Sequence, residues 1–200
     1  MITPSGKVNV DTSFISKLNY LPRDIERAAK VATWRTNNWL RNYSMNLLGV
    51  ELRISNSGSS KKVDKRTKEV FDRRFKPYKN VKLLSGKTRV YTSKLWIGLN
   101  DVSVHRFGPI KELAGSRIKD GSGEIHNNAF IKKFRTDSHP FAVQRHVTAE
   151  TSKARRKYSV IKKDIADEVE EIISSLEPEI NGMFEEFFYA ELRQVLSKSK

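Results

Sequence analysis

The chain has 200 residues, 38% hydrophobic and 30% charged, with a formal net charge of +15 and no cysteine. That length suits one domain with a real core. The lack of cysteine excludes disulfides and thiolate metal sites, and no apolar run reaches the length of a membrane span.

The charge is unevenly placed. Residues 1–160 carry 33 Lys and Arg against 13 Asp and Glu, a balance of +20, whereas residues 161–200 carry 5 against 10, a balance of −5. A basic body can face nucleic-acid phosphates. Alternatively, the acidic end of one subunit can lie on the basic body of the next, which favours homo-oligomers. The organisation expected is an arm over 1–21, a basic α+β body over 22–160, and an acidic helical segment over 161–200 that packs on the body or on a neighbour. Met1 to Lys7 has no apolar core of a secretion signal, so synthesis and action in a reducing cytoplasm are expected.

In chain order, Pro22 opens a helix, with Asp24 and Glu26 in the first turn where carboxylates suit the helix dipole. Ile25, Ala28, Ala29, Ala32, Trp39, Tyr43 and Leu47 follow at three- and four-residue steps, and Gly49 is the expected stop. Val50 to Ile54 reads as extended and 56–60 as a loop. Residues 61–76 read as a second, strongly basic helix ended by Pro77. A hairpin follows, with strands at Val81–Leu84 and Thr88–Thr92 around Ser85-Gly86, feeding Leu95-Trp96-Ile97-Gly98-Leu99, the most apolar run and an expected buried strand. Alternation at Val102, Val104 and Arg106 against Ser103, His105 and Phe107 predicts a further extended piece.

Arg117-Ile118-Lys119 predicts a short strand before the Asp120-Gly121-Ser122-Gly123 turn. Asn128–Ile131 and Pro140–Arg145 predict two more, joined by a polar loop around Thr136-Asp137-Ser138, and 148–157 reads as polar and mobile. From Ile161 a long helical stripe begins, which Pro178 is expected to kink or restart. The fold class expected is α+β: N-terminal helices, a central mostly antiparallel sheet and a long C-terminal helix.

Little in this pattern is catalytic. His105, His126, His139 and His146 lack the paired spacing with carboxylates that a metal site needs. His126-Asn127-Asn128 is only faintly similar to a nuclease signature. There is no phosphate-cradling loop, no nucleophile elbow and no apolar carboxylate pair, and Asp101 and Asp137 suit turns. No enzyme, metal, cofactor or small-molecule substrate is therefore expected. Lys61, Lys62, Lys65, Arg66, Arg73 and Arg74 on the second helix form a basic surface that is either DNA- or partner-facing or merely solvated. No known recognition module accompanies it. Trp34, Trp39 and Trp96 read as core. Ile180, Phe184, Phe187, Phe188 and Leu192, with Glu185 and Glu186 beside them, form an apolar and acidic stripe that serves the chain's own core or a subunit interface.

Taken in order, these pieces resemble the minor tail protein Z family of lambda-like tailed phages and prophages. They are the basic helix Ile25–Leu48, the basic helix Lys62–Phe75, Leu95-Trp96-Ile97-Gly98-Leu99-Asn100 with Val102-Ser103 and Phe107, Gly115-Ser116-Arg117-Ile118-Lys119, Asn128-Ala129-Phe130-Ile131, Phe141-Ala142-Val143-Gln144-Arg145, and the end of the last helix, Phe184-Glu185-Glu186-Phe187 with Glu191-Leu192. The resemblance runs over roughly 22–196. It departs at Asn128, where the family tends to carry Gly, and at Tyr158–Ile161, where it tends to have a Leu-Pro-Ile step. The resemblance implies a virion protein at the head-proximal tail end, made in the host cytoplasm and acting in tail completion and head–tail joining. It further implies a ring of six subunits that contacts neck, tail-terminator or tube proteins, with genome DNA passing through the channel. A stand-alone nucleic-acid-binding protein is the alternative, and a divergent nuclease using His126 or His146 the third reading.

Overall fold

The computed structural model describes residues 22–54, 62–83, 89–133, 140–145 and 158–197. The expected arm, the Ser85-Gly86 turn, the Thr136–Ser138 loop and the 148–157 stretch lie outside the described residues, as do Lys61, His139 and His146. The fold is α+β, with a long first helix α1 (Pro22–Glu51), small antiparallel sheets, and a long last helix α3 (Ala166–Ser197) packed against the first.

Helix α1 starts where Pro22 and Asp24 predict. It does not stop at Gly49. Arg53 adopts φ 55, and its N–H bonds to Val50 O at 2.9 Å while Ile54 N–H bonds to Gly49 O at 2.7 Å. This pair of bonds is a Schellman ending with arginine in the left-handed position. Val50 to Ile54 therefore finish the helix instead of forming a strand. Gly49 serves a different purpose: a Cβ there would lie 2.9 Å from Thr67 Cγ2, so its smallness lets helix α2 (Lys65–Phe71) approach α1 closely.

The expected second helix of 61–76 shrinks to those seven residues. Asp64 caps it, its carboxylate accepting from the N–H of Arg66 at 2.9 Å and of Thr67 at 3.3 Å. Asn46 of α1, fully buried, pins the approach by donating to Lys62 O at 2.9 Å and accepting from Asp64 N–H at 3.2 Å. The chain then turns into β1 (Phe75–Leu83), which pairs antiparallel with β2 (Arg89–Ile97) from Phe75↔Ile97 to Leu83↔Arg89. Pro77 is therefore a strand residue opposite Leu95, not a helix terminator. Each strand of a two-stranded ribbon has an unpaired edge, where a missing N–H costs nothing.

The ribbon is held to α1 by polar side chains: Asn37 donates to Ser93 Oγ and, at 3.2 Å, to Lys94 O, and Arg41 Nε donates to Phe75 O at 2.8 Å. One face of the ribbon turns to the interior and the other to solvent. Trp96 falls on the solvent side and is 38% exposed, against the expectation of a core residue.

After β2, β3 (Val102–Ser103) pairs with β10 (Lys162–Lys163). A single 3₁₀ turn (Val104–Arg106) replaces the expected extended piece. Side chains three apart eclipse in such a turn, so Val104 and Phe107 both enter the core, 0% and 1% exposed. The remaining strands form two three-stranded sheets. One is β4 (Lys111–Leu113), β5 (Arg117–Lys119) and β6 (Ile125–Asn127). The other is β7 (Ala129–Lys132), β8 (Phe141–Arg145) and β9 (Tyr158–Val160). The single central sheet expected is thus four small antiparallel sheets among the described residues. Ile161 ties two of these pieces together, its N–H bonding Ala142 O and its C=O accepting from Val104 N–H.

Because β9 and β10 occupy 158–163, α3 begins at Ala166, where Asp164 accepts from its N–H at 2.9 Å. It runs as one helix through Pro178, which lies on the exposed side. There water can serve the Ser174 carbonyl that proline leaves without its usual donor. The two long helices run antiparallel. Small Ala28 and Ala32 of α1 receive Phe184, Phe188 and Leu192 of α3; Trp39 meets Leu176 and Ile180; and Met45 and Leu48 share the main core with Ile165 and Val169.

Candidate interaction surfaces and the Asp120 turn

The apolar stripe of α3 is spent within the chain. Ile180, Phe184, Phe188 and Leu192 are each at most 3% exposed. Phe187 is half-buried beneath the Arg35 guanidinium, 4.6 Å from its ring centre, and Arg35 also bonds Glu191 at 2.6 Å. Glu185 and Glu186 point to solvent, as do Glu170, Glu171, Glu177 and Glu179. The helix therefore presents outward an acidic strip, with Tyr189 as its exposed aromatic. Helical periodicity identified the stripe, but it could not tell which partner covers it.

The basic residues divide in two. Lys62, Lys65, Arg66 and Arg73 are exposed. Arg74 is a clamp: it donates to Asn100 O and, at 3.2 Å, to Asp101 O. Partial burial first, then repulsion from Arg106, lower its pKa, while Asp101 pulls the other way. The guanidinium stays charged throughout. Its work is to fix the exit of β2, and it is not free to meet a phosphate.

Sequence reasoning missed a cluster at the β5–β6 turn. Asp120 is 4% exposed. One carboxylate oxygen accepts from Ser122 N–H (2.9 Å), Ser122 Oγ (2.6 Å) and Glu124 N–H (3.0 Å), and the other meets His126 Nε2 at 2.9 Å. Asp120, Glu124 and His126 bring ligand atoms within 4.8 Å of one another, the one such grouping among the described residues. Both Asp120 oxygens are already engaged in closing the turn, so the cluster as it stands is a hairpin lock. The turn brings together residues two to six apart, a proximity that no helical or strand period reveals.

Burial opposes ionisation of Asp120, but the hydrogen bonds from His126, Ser122 and the Glu124 N–H, with the attraction of His126, outweigh it. They hold the carboxyl below its ordinary range. A depressed folded-state pKa contributes stability above the unfolded value of about 3.9, and that stability is lost as pH falls through the folded pKa. Asp120→Ala should cost roughly 1–3 kcal/mol at neutral pH, by stranding the donors of the turn. Urea titrations should show the gap between wild type and variant closing in acid. A gap that persists undiminished there would deny the carboxylate this role.

Comparison of the chain with known protein families, curated proteins and solved structures gives no match.

Proposed function

We propose that this chain is a structural subunit of a tailed-phage virion, completing the head-proximal end of the tail and joining head to tail as a ring-forming homo-oligomer. Support comes first from the ordered resemblance to the minor tail protein Z family. One of its departures is physically conservative: Asn128 sits at φ 53, in the left-handed region that glycine and asparagine both enter readily.

The observation that carries the reading is the outward charge of two separate elements. Helix α3 exposes Glu170, Glu171, Glu177, Glu179, Glu185 and Glu186, while α2 and its flanks expose Lys62, Lys65, Arg66, Lys68 and Arg73. A ring needs two different, complementary surfaces on each subunit, because its head-to-tail contacts must close. Opposite charges set register and encounter rate for such contacts. In this reading the subunits assemble as hexamers, neighbouring neck, terminator or tube proteins cover the ring's two ends, and genome DNA passes through the channel. The protein is a virion component without enzymatic activity or cofactor.

Sedimentation of a Glu185→Lys, Glu186→Lys double variant is the test. Exposed pairs contribute up to about 1 kcal/mol each, so the reversal should weaken association roughly tenfold at low salt and less at high salt. Compensating reversals at Lys65 and Arg66 should restore it. A wild-type chain that stays monomeric at low salt and is not incorporated into tails would overturn the proposal.

A further inference from the structure

The outward face of the β1–β2 ribbon carries two exposed aromatic side chains and two exposed lysines in a fixed pattern. The register pairs Lys76 with Trp96 and Tyr78 with Lys94. Side chains two apart in a strand share a face, so the four form a checkerboard. Each aromatic has a lysine across the ribbon and another along its own strand. Tyr78 is 50% and Trp96 38% exposed, and both lysines are exposed. The opposite face is occupied by Phe75, Leu95 and Ile97, packed in the main core.

Two details prepare this face for a ligand. The Trp96 indole lies along the strand over Gly98, where a Cβ would come within 2.7 Å of its Cη2. Glycine thus leaves the ring a seat and limits its freedom before anything binds, which reduces the entropy lost on binding. In addition, neither 73–83 nor 89–97 contains an acidic residue. The ribbon and the turn before it are therefore uniformly cationic, with Arg73, Lys76 and Lys94 exposed.

We propose that this face binds an unpaired nucleic-acid strand without sequence preference. Trp96 and Tyr78 stack on bases, Lys94 meets an intervening phosphate, and Lys76, whose ammonium stands 5.6 Å from the Trp96 ring centre, swings off the ring to meet another. Alternating π-faces and cations are what such a strand offers contacts for, since every base has a flat face and every linkage a charge. A duplex hides those faces. The acidic α3 of a second copy would satisfy the lysines but offers a single exposed aromatic, Tyr189, to the two on this face, whereas a net charge of +15 favours a polyanion. This inference does not rest on the assembly reading: a ring subunit and a monomer would carry the same face.

The test is a titration of the intact chain with a labelled mixed-sequence single strand and with a duplex of equal length, read by anisotropy and by tryptophan quenching. The single strand should bind more tightly and quench fluorescence. Trp96→Ala and Tyr78→Ala should each lower its affinity roughly tenfold to a hundredfold with little change in melting temperature, because both side chains are exposed. Lys76→Ala with Lys94→Ala should weaken binding and flatten its dependence on salt. The proposal is overturned if the wild type fails to bind the strand, if the duplex binds as well, or if Trp96→Ala binds normally. It is equally overturned if Lys65→Ala with Arg66→Ala abolishes binding while the ribbon variants do not. Loss of self-association by Trp96→Ala without loss of strand binding would assign the face to a subunit contact instead.

Discussion

Deleting residues 181–200 is expected to unfold the chain, not to leave a folded body that merely fails to assemble. The deletion removes Phe184, Phe188, Leu192 and Val195, all buried, and strips the cover from Ala28 and Ala32 on α1. Each large apolar side chain contributes about 1.5–3 kcal/mol through burial, so the four together amount to roughly 6–12 kcal/mol. That is comparable with a typical total stability of about 5–15 kcal/mol. The truncated protein should show no cooperative melting transition. The point variant Phe188→Ala should fold but lose about 3–5 kcal/mol in urea titration. A truncated chain melting cooperatively near the wild-type temperature would mean that α3 is dispensable to the core, contrary to the packing.

The second large effect is expected at Gly121. A Cβ there would stand 2.5 Å from the Cα and N of Gly108 and from the carbonyl oxygen of Phe107. All three are backbone atoms and cannot rotate away. Gly108 itself has φ +145, which excludes most other residues. Gly121→Ala must therefore push the Asp120 turn off the Phe107–Gly108 segment, at a cost of about 1–3 kcal/mol or more. The control is Gly182→Ala in α3, which meets nothing within 4 Å and should gain up to about 1 kcal/mol from helix propensity. Thermal denaturation of the two variants should move in opposite directions. Equal and small shifts would contradict the close approach of the two turns.

The long elements were the legible ones. Pro22 and Asp24 marked the start of α1, and the stripe from Val169 to Val195 identified α3, because a helix repeats its pattern over many turns. The β1–β2 ribbon was half legible. The antiparallel pairing of two strands was visible, but Phe75 to Pro77 read as the end of a helix, since a proline after a basic amphipathic run resembles a terminator. Trp96 misled for another reason. An unbroken apolar run reads as buried on both sides, whereas here Gly98 lets a large ring lie flat on an outward face. At Arg53 and at the Val104–Arg106 turn, local backbone geometry decided the outcome: a left-handed arginine and one tight turn reversed assignments made from residue type and alternation. The Asp120 lock was illegible because it depends on a turn drawing three side chains together.

The seam between α1 and α3 also dictates when this protein can become itself. Its partners are among the most distant in the chain; Arg35 and Glu191 stand 156 residues apart. A ribosome adding about 5–20 residues per second takes roughly 8–30 s to make that interval. Throughout it, Ala28 and Ala32 of the first helix lack the side chains that cover them. The seam therefore closes only once residues 176–192 have been made, and contacts of such long sequence separation slow folding.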